Sequence, residues 1–398
     1  MINPQPLALP RAVRRRGLIV LLANTLLMWA GFFMIVPILS LHYVDELGWA
    51  AASIGAVLGV RQLVQQTLTV AGGALADRLG AKTLILIGLV IRVIGFGAMA
   101  WATTFPVLMM LGILAAIGGA LFDSPSAAAM AALTTEDERL SFYSTRGVMT
   151  GLGMTLGPLI GSALLKVDFA LVAYLSAGLY LVCLITTAWL LPNVKVGGEE
   201  QGLTHGVRLA LHDRPFMILV ALLMGYWFMW VQLTLSVPLK AEALSGDPGS
   251  VGTVYLINSL FTIFLQVPLV RWMKRHVPPM SAVAAGIGIM AVAMSSIALT
   301  QTLPGLLVCV ALFSLGNLVS LPNQSTVIAA LARSEARGSY FGVSAMALAI
   351  GGSLGNFLGS ALYGASIEAA QPARPWLIIG AVGLSSALGL AWLNRRRV

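Results

Sequence analysis

Long apolar runs follow one another along almost the whole chain, and they constrain the fold more than any other feature. A helix needs about 20 apolar residues to cross the hydrocarbon core of a bilayer, and these runs meet that length. The composition agrees, because 58% of the 398 residues are hydrophobic and 10% are charged, whereas a soluble domain is about 25% charged. A soluble enzyme, a disordered protein and a disulfide scaffold are therefore excluded. The short alternating strands of a membrane β-barrel would not give such runs.

The apolar runs predict twelve transmembrane helices. Helices are expected because lipid offers no partner for unpaired backbone N–H and C=O groups. The predicted fold class is an all-α integral membrane protein. The predicted spans, numbered 1 to 12 in chain order, are 16–40, 50–73, 82–102, 106–131, 140–165, 168–190, 215–238, 250–271, 280–300, 304–331, 339–364 and 374–393.

Lys and Arg residues are unevenly divided between the two sides of these spans. Eighteen of the 24 fall on one side, and three, Lys166, Lys240 and Arg374, fall on the other. Cytoplasmic loops carry the excess of basic residues in membrane proteins. We therefore expect a multi-pass protein of the inner (plasma) membrane with both termini in the cytoplasm. The net charge of +9 follows from this distribution, and no nucleic-acid partner is expected.

The sequence offers little for catalysis or for cofactor binding. The two cysteines, Cys183 and Cys309, lie in separate apolar runs, without a disulfide framework or metal-ligand spacing. No Gly-x-x-x-x-Gly-Lys-(Ser/Thr) run for nucleotide phosphates is present, and no nucleophile–base set is suggested. We expect no metal, no cofactor and no enzymatic activity, and we expect a monomer in the lipid bilayer.

The chain divides into two similar halves. A polar connection at 192–214 reads as a cytoplasmic linker between six spans at 1–191 and six at 215–398. An offset of 198 residues aligns 139–142 with 337–340, 156–164 with 354–362, and Gly118 with Gly316. Chance matching of small residues in apolar helices is the alternative to a duplication. A parallel six-plus-six repeat is typical of transporters with two six-helix bundles and a site between them near the bilayer midplane.

The connection between spans 2 and 3 contains the sharpest motif, Gly73, Asp77, Arg78, Gly80 and Lys82. A glycine permits close helix approach or a tight turn, and an acid is favoured at a helix N-terminus. The spacing resembles the loop motif Gly-x-x-x-Asp-Arg-x-Gly-x-(Arg/Lys) of the major facilitator superfamily. The resemblance implies a latch that holds the halves together on the cytoplasmic side while the transporter is open outward.

Span 5 contains a second motif, formed by Gly153, Gly157, Pro158 and Gly161. It is similar to the antiporter motif Gly-x-x-x-Gly-Pro-x-x-Gly-Gly of the superfamily, with Ser162 at the last glycine. The resemblance implies export by antiport; plain helix packing is the alternative, because small residues four apart allow close contact. The stretches 58–66, 118–123, 336–340 and 348–352 resemble the drug:proton antiporters of the superfamily. That resemblance implies two six-helix bundles and a proton-driven exporter of amphipathic compounds.

Four ionisable residues lie inside the predicted spans: Asp123, Arg61, Arg92 and Arg146. Each needs a reason, because a charge at membrane depth costs several kcal/mol unless it is paired or hydrated. Asp123 and Arg146 lie at similar distances from the turn between spans 4 and 5, so they are predicted to share a depth. Either Asp123 forms a salt bridge with Arg146, or it is the proton carrier. Related exporters often have an acid in span 1, which this chain lacks, so Asp123 is the main candidate.

The sequence indicates the roles of Arg61 and Arg92 less clearly. Arg61 is either a polar cavity wall that contacts anionic substrates or a structural residue, and Arg92 is expected to be structural. The resemblance implies that spans 1, 4, 7 and 10 line the substrate cavity. Aromatic rings with a few polar groups suit lipophilic cations, although each ring has lipid contact or core packing as its alternative. The predicted cavity residues are Trp29, Phe33, Gln62, Gln65, Tyr226, Trp230, Asn317 and Asn323.

These features together predict a secondary active transporter that exports lipophilic or amphipathic compounds in exchange for protons, by alternating access. The first alternative is a proton-coupled transporter of a sugar, metabolite or organic anion, with Arg61 binding the charge. The second alternative is a membrane sensor that has lost transport.

Overall fold

The structure is a computed structural model, and it describes residues 10–193, 203–333 and 337–395. Within these residues it contains α-helices and short 3₁₀ and π-helical turns, and no β-strand. The fifteen α-helices are α1 Arg11–Ser40, α2 Ala51–Leu79, α3 Ala81–Ala98, α4 Phe105–Leu133, α5 Glu136–Leu165, α6 Phe169–Leu190, α7 Leu203–His212, α8 Arg214–Trp230, α9 Ser236–Ser245, α10 Gly249–His276, α11 Pro279–Ser296, α12 Leu303–Leu331, α13 Arg337–Ser344, α14 Ser353–Glu368 and α15 Arg374–Arg395.

Eleven helical segments of the described residues are long and apolar enough to cross a membrane, and they correspond to predicted spans 1 and 3–12. At the position of span 2 the structure has α2, a helix of 29 residues. It is not among the eleven, and its described part carries Arg61, Gln62, Gln65 and Gln66. The prediction of an all-helical membrane fold is confirmed, whereas the count of twelve spans stays a prediction.

Two spans run six residues or more past their predicted C-terminal ends. The first covers Arg11–Glu46 because α1 continues into a π-helical turn, Leu41–Glu46. The seventh covers Arg214–Ser245 because α8 continues through a 3₁₀ turn, Val231–Thr234, into α9. Polar residues marked the predicted ends, but the helical backbone continues past those polar residues.

The contacts between residues divide the chain into two compact units. Unit 1 consists of Met1–Ile35 and Val64–Glu199, and unit 2 consists of Val36–Leu63 and Glu200–Val398. The end of α1 and the start of α2 therefore group with the second half of the sequence. The predicted linker at 192–214 contains α7, while its residues 194–202 lie outside the described part. The predicted halves 1–191 and 215–398 stay a prediction about the sequence repeat.

Close contacts between helix backbones organise unit 1. Helix α3 packs against α4 and α6. At the α3–α4 crossing, a Cβ on Gly88 would lie 2.6 Å from the Gly118 carbonyl oxygen. Helix α1 is bonded to α6, because the Asn24 side chain donates to the Thr187 hydroxyl at 2.7 Å.

The same crossing recurs in unit 2, where α11 packs against α12 and α15. A Cβ on Gly286 would lie 2.6 Å from the Gly316 carbonyl oxygen. Gly286 and Gly316 are the positions 198 residues after Gly88 and Gly118. The offset found in the sequence therefore relates equivalent helix contacts.

A second crossing in unit 1 brings α5 against α1. A Cβ on Gly153 would lie 2.7 Å from the Leu26 carbonyl oxygen, and one on Gly157 would lie 2.5 Å from that of Ala30. Only glycine allows two helix backbones to approach so closely.

The matching crossing in unit 2 brings the start of α14, with its preceding π-helical turn Ala347–Gly352, against α8. A Cβ on Gly351 would meet the Met224 carbonyl oxygen, and one on Gly355 would lie 2.7 Å from that of Phe228. All four residues again stand 198 positions after their counterparts in unit 1. This repetition of contacts supports a duplication over chance matching of small residues.

Candidate functional site

The candidate site in unit 1 is centred on Asp123, which the middle turns of α4 carry. Its side chain is exposed, and its Oδ2 accepts a hydrogen bond of 2.8 Å from Gln65 Nε2 on α2. The sequence predicted Asp123 as an ion-coupling residue and Gln65 as a cavity residue. The structure brings these two predicted residues into direct contact, which the sequence pattern did not indicate.

The expected salt bridge between Asp123 and Arg146 is not formed. The ion pairs seen among the described residues include Arg14–Glu138 and His42–Glu46, and neither of these involves Asp123 or Arg146. Arg146 is half-buried on α5, and its Nε has no hydrogen-bond partner among the described residues. Similar depth places two side chains at one height in the membrane, but it does not fix the direction in which each helix face points.

Arg92 lies in the interior of unit 1, on α3. It is 4% exposed, and its Cζ lies 5.4 Å from the ring centroid of Tyr180 and 6.0 Å from that of Phe96. Aromatic faces attract a cation through the ring quadrupole, and this attraction strengthens when water is excluded. The packing agrees with the structural role expected for Arg92.

Gly119 is a site residue that the sequence analysis did not select for this role. A Cβ on Gly119 would lie 2.5 Å from Arg92 Nη2 and 2.8 Å from the Gln65 amide carbon. The end groups of both side chains therefore lie against α4 at the same point, one helical turn before Asp123. The available signal was the adjacent pair Gly118 and Gly119, the second of which stands four residues before the exposed acid Asp123.

Arg61 and Gln62 belong to the part of α2 that groups with unit 2. Arg61 is 7% exposed, and its Nη2 donates to Gln62 Oε1 at 3.1 Å. The guanidinium is thus enclosed and bonded to its neighbour, which agrees with the structural alternative for Arg61 more than with an open anion contact.

The predicted cavity aromatics differ in exposure. In unit 1, Trp29 is half-buried and stacks on the buried Phe33, with ring centroids 5.7 Å apart. In unit 2, Tyr226 is fully buried and its hydroxyl donates to Asn317 Oδ1 at 2.5 Å. Trp230 is half-buried. Of these rings, the two tryptophans keep surface that a substrate can contact.

Asn323, the last predicted cavity residue, bonds to its own helix. Its Nδ2 donates to the Val319 carbonyl oxygen at 2.9 Å. That bond occupies one of the two amide donors of Asn323.

The loop motif is only partly described. Gly80 connects α2 to α3 with φ +84°, so the predicted tight turn is confirmed. Lys82 Nζ donates to the Ala188 carbonyl oxygen at 2.8 Å, near the end of α6, where a cation is favoured by the helix dipole. The side chains of Gly73, Asp77 and Arg78 lie outside the described residues.

The antiporter motif is a packing surface in this structure. Gly153, Gly157, Pro158 and Gly161 are all buried, and the first two hold the close contact between α5 and α1. These glycines therefore pack α5 against α1. Among the described residues, no group of three or more His, Cys, Asp or Glu side chains could hold a metal ion.

Solved transporter structures share the architecture. A POT family transporter in complex with a thioalcohol-conjugated peptide aligns with a TM-score of 0.81 over 96% of each chain, at 15% identity. The nucleoside transporter NupG aligns with a TM-score of 0.81 over 94% of this chain and 99% of that one, at 14% identity. At such identity the similarity shows the fold alone.

Sequence relatives are much closer. Multidrug resistance protein MdtH of Klebsiella pneumoniae subsp. pneumoniae is 38% identical over 379 residues, which is 95% of this chain and 94% of that protein. MdtH of Proteus mirabilis is 36% identical over 393 residues, 98% of each chain. The family model described as Major Facilitator Superfamily matches residues 21–355 and 233–398. The chain therefore belongs to the major facilitator superfamily, a family of membrane transporters and not of enzymes.

Proposed function

We propose that this protein exports lipophilic or amphipathic compounds in exchange for protons, by alternating access. Relatives that cover nearly the full chain bear the name multidrug resistance protein MdtH, which supports this class of substrate. The division of basic residues supports an inner-membrane protein with twelve spans and cytoplasmic termini. The transporter acts as a monomer, with a small molecule and protons as its cargo.

The observation that carries this proposal is the hydrogen bond between Gln65 and Asp123. A salt bridge to arginine would favour the charged carboxylate strongly. A neutral amide has both donors and an acceptor, so it can bond to the carboxylate and to the protonated carboxyl group. Asp123 is also exposed on a mostly apolar helix, where an acid at membrane depth marks an ion pathway. Asp123 is therefore suited to bind and release a proton during the transport cycle.

The exchange has a simple order of events. Asp123 takes up a proton while the site is open to the outside, and it releases that proton when the site is open to the cytoplasm. The outward-moving compound uses the opposite half of the cycle. Trp29 in unit 1 and Trp230 in unit 2 each offer this compound a half-buried ring, because aromatic faces attract lipophilic cations. The loop motif at Gly73, Asp77, Arg78, Gly80 and Lys82 serves as the cytoplasmic latch.

The alternatives make different predictions. Transport of a sugar, metabolite or organic anion would assign substrate binding to Arg61, but the enclosure of Arg61 and its bond to Gln62 favour a structural role. A sensor without transport would bind a ligand and show no flux. A panel that contains cationic and anionic compounds separates these alternatives.

The test uses purified protein in liposomes with an imposed pH gradient. Uptake of cationic and anionic dyes is compared for wild type, Asp123→Asn and the matched control Glu368→Gln, which changes an exposed acid at the end of α14. We expect gradient-driven movement of cationic dyes by wild type and the control, and loss of coupling with retained dye binding in Asp123→Asn. If wild type moves anions alone, the metabolite alternative replaces this proposal. If Asp123→Asn remains coupled to the gradient, Asp123 is not the proton carrier.

A further inference from the structure

We propose that Gln65 is a positioning residue that transmits the charge state of Asp123 to the buried guanidinium of Arg92, through a gap that Gly119 leaves on α4. The inference rests on the proposed role of Asp123 as proton carrier and adds the residues that connect its carboxylate to a buried cation. All four residues lie in unit 1.

The gap at Gly119 is what brings the two side chains together. The position of a Cβ on Gly119 is 2.5 Å from Arg92 Nη2 and 2.8 Å from both Cδ and Nε2 of Gln65. Any side chain larger than hydrogen would occupy space that these end groups now fill. Asp123 stands four residues later on the same helix, which is one turn or about 6 Å along the axis. Gln65 spans that turn, because its Nε2 also donates to Asp123 Oδ2.

Arg92 brings a buried positive charge to this contact. It is 4% exposed, and neither ion pair found in the described part of the chain involves it. Its Nε has no hydrogen-bond partner among the described residues. The rings of Tyr180 and Phe96 compensate the buried cation in part. A buried positive charge remains, and the carboxylate of Asp123, which stands one helical turn after Gly119 on α4, can balance it.

The chemistry of an amide suits the position between the two charges. An amide that donates from Nε2 to a carboxylate keeps its Oε1 as an acceptor, which is the kind of group that a guanidinium can donate to. Protonation of Asp123 removes the negative charge, and Arg92 then loses its counter-charge. Because Arg92 is on α3, and α3 crosses α4 closely at Gly88 and Gly118, the proton state of Asp123 acts on the packing of these two helices.

The test is the pH profile of cationic dye transport in liposomes, with two variants and two matched controls. Gln65→Leu removes the donor to Asp123, and Gln66→Leu makes the same change at the next position of α2. Gly119→Ala displaces the Arg92 and Gln65 end groups, whereas Gly178→Ala on α6 adds its methyl group in open space. Because both displaced groups are flexible ends, Gly119→Ala is expected to fold.

We expect Gln65→Leu and Gly119→Ala to move the pH midpoint of transport upward, since the carboxylate loses a stabilising donor. A hydrogen bond to a charged group corresponds to a shift of about one pH unit, a tenfold change in proton affinity. Both controls should keep the wild-type midpoint. Adding Gln65→Leu to Asp123→Asn should change the residual profile no further.

The outcomes are separable from failure of the proposed function. If Asp123→Asn abolishes coupling while Gln65→Leu and Gly119→Ala keep the wild-type midpoint, the inference about Gln65 is wrong and Asp123 acts alone. If Asp123→Asn stays proton-coupled, the proposed role of Asp123 fails first. If Gln65→Leu does not fold, the pH midpoint of Gly119→Ala is the test: an upward shift supports the inference, and a wild-type midpoint contradicts it.

Discussion

Gly157 on α5 meets α1 so closely that a Cβ at this position would lie 2.5 Å from the Ala30 carbonyl oxygen. Gly355 stands in the same relation to Phe228, 198 residues further along the chain. The atoms in the way are backbone atoms of a neighbouring helix, which cannot rotate aside as a flexible side chain can. Each unit therefore depends on glycine at the position where the antiporter motif, or its repeat, crosses a helix.

Gly157→Ala is expected to destabilise the protein, because its methyl group must push α1 and α5 apart. Inserting a methyl group into a closely packed contact costs about 1–3 kcal/mol. The measurement is the thermal unfolding midpoint of purified protein in detergent. Gly151→Ala, on the same helix but with nothing within 4 Å of its Cβ position, is the matched control and should retain the wild-type midpoint. Equal midpoints for both variants would contradict the assignment of Gly157 as a packing residue.

Tyr226→Phe is expected to destabilise unit 2 while leaving its shape unchanged. Tyr226 is fully buried and donates to Asn317 Oδ1 at 2.5 Å, so the variant leaves that acceptor without its present donor. An unsatisfied buried polar group costs about 1–3 kcal/mol. Thermal unfolding in detergent measures the effect, with Tyr174→Phe as control because Tyr174 is 43% exposed. A loss of dye binding without a loss of stability would instead assign Tyr226 to substrate contact.

The protein is expected to become less stable at acid pH because Glu138 on α5, which pairs with Arg14 on α1, becomes protonated. Hydrogen bonds from Thr135, then the charge of Arg14, lower the pKa of Glu138 below its ordinary value. Because the pKa is lowered in the folded state, the ionised Glu138 contributes fully to the free energy of unfolding above the ordinary pKa of glutamate. That contribution is lost as pH falls through the pKa of the folded state. Arg14 Nη2 lies 3.0 Å from Glu138 Oε1, so protonation also weakens this ion pair.

Glu138→Gln tests that pH dependence. The unfolding midpoint of the variant should lie below that of wild type at neutral pH, and the two curves should converge as pH falls below about 4.3, the ordinary glutamate pKa. The series is measured in detergent at several pH values. A gap between the curves that stays constant down to acid pH would show that Glu138 acts through its shape and not through its charge.

The sequence was most informative where a feature is repeated or is set by one residue. Runs of apolar residues gave the spans, the offset of 198 gave the repeated helix crossings, and Gly80 gave the tight turn, observed at φ +84°. Each of these depends on local chain chemistry. Helical geometry that continues through polar residues, as at Leu41–Glu46, was missed because apolar runs end before the helix does.

The candidate site was harder to predict because its contacts join helices that are distant in sequence. The sequence identified Asp123 from its charge and offered Arg146 as one possible partner, because depth can be counted from a turn and facing direction cannot. The observed partner, Gln65, is 58 residues away. Gly119 gains its importance only from the side chains that lie against it, Arg92 and Gln65.

Proton counting is the most direct test of proton-coupled antiport by this protein. Liposomes are loaded with a pH-sensitive fluorophore, the pH is set equal on both sides, and a gradient of a transported cationic dye alone is imposed. We expect wild type to move protons against the direction of dye flow, and Asp123→Asn to move none. Dye movement by wild type with no accompanying proton flux would contradict proton-coupled antiport and the role assigned to Asp123.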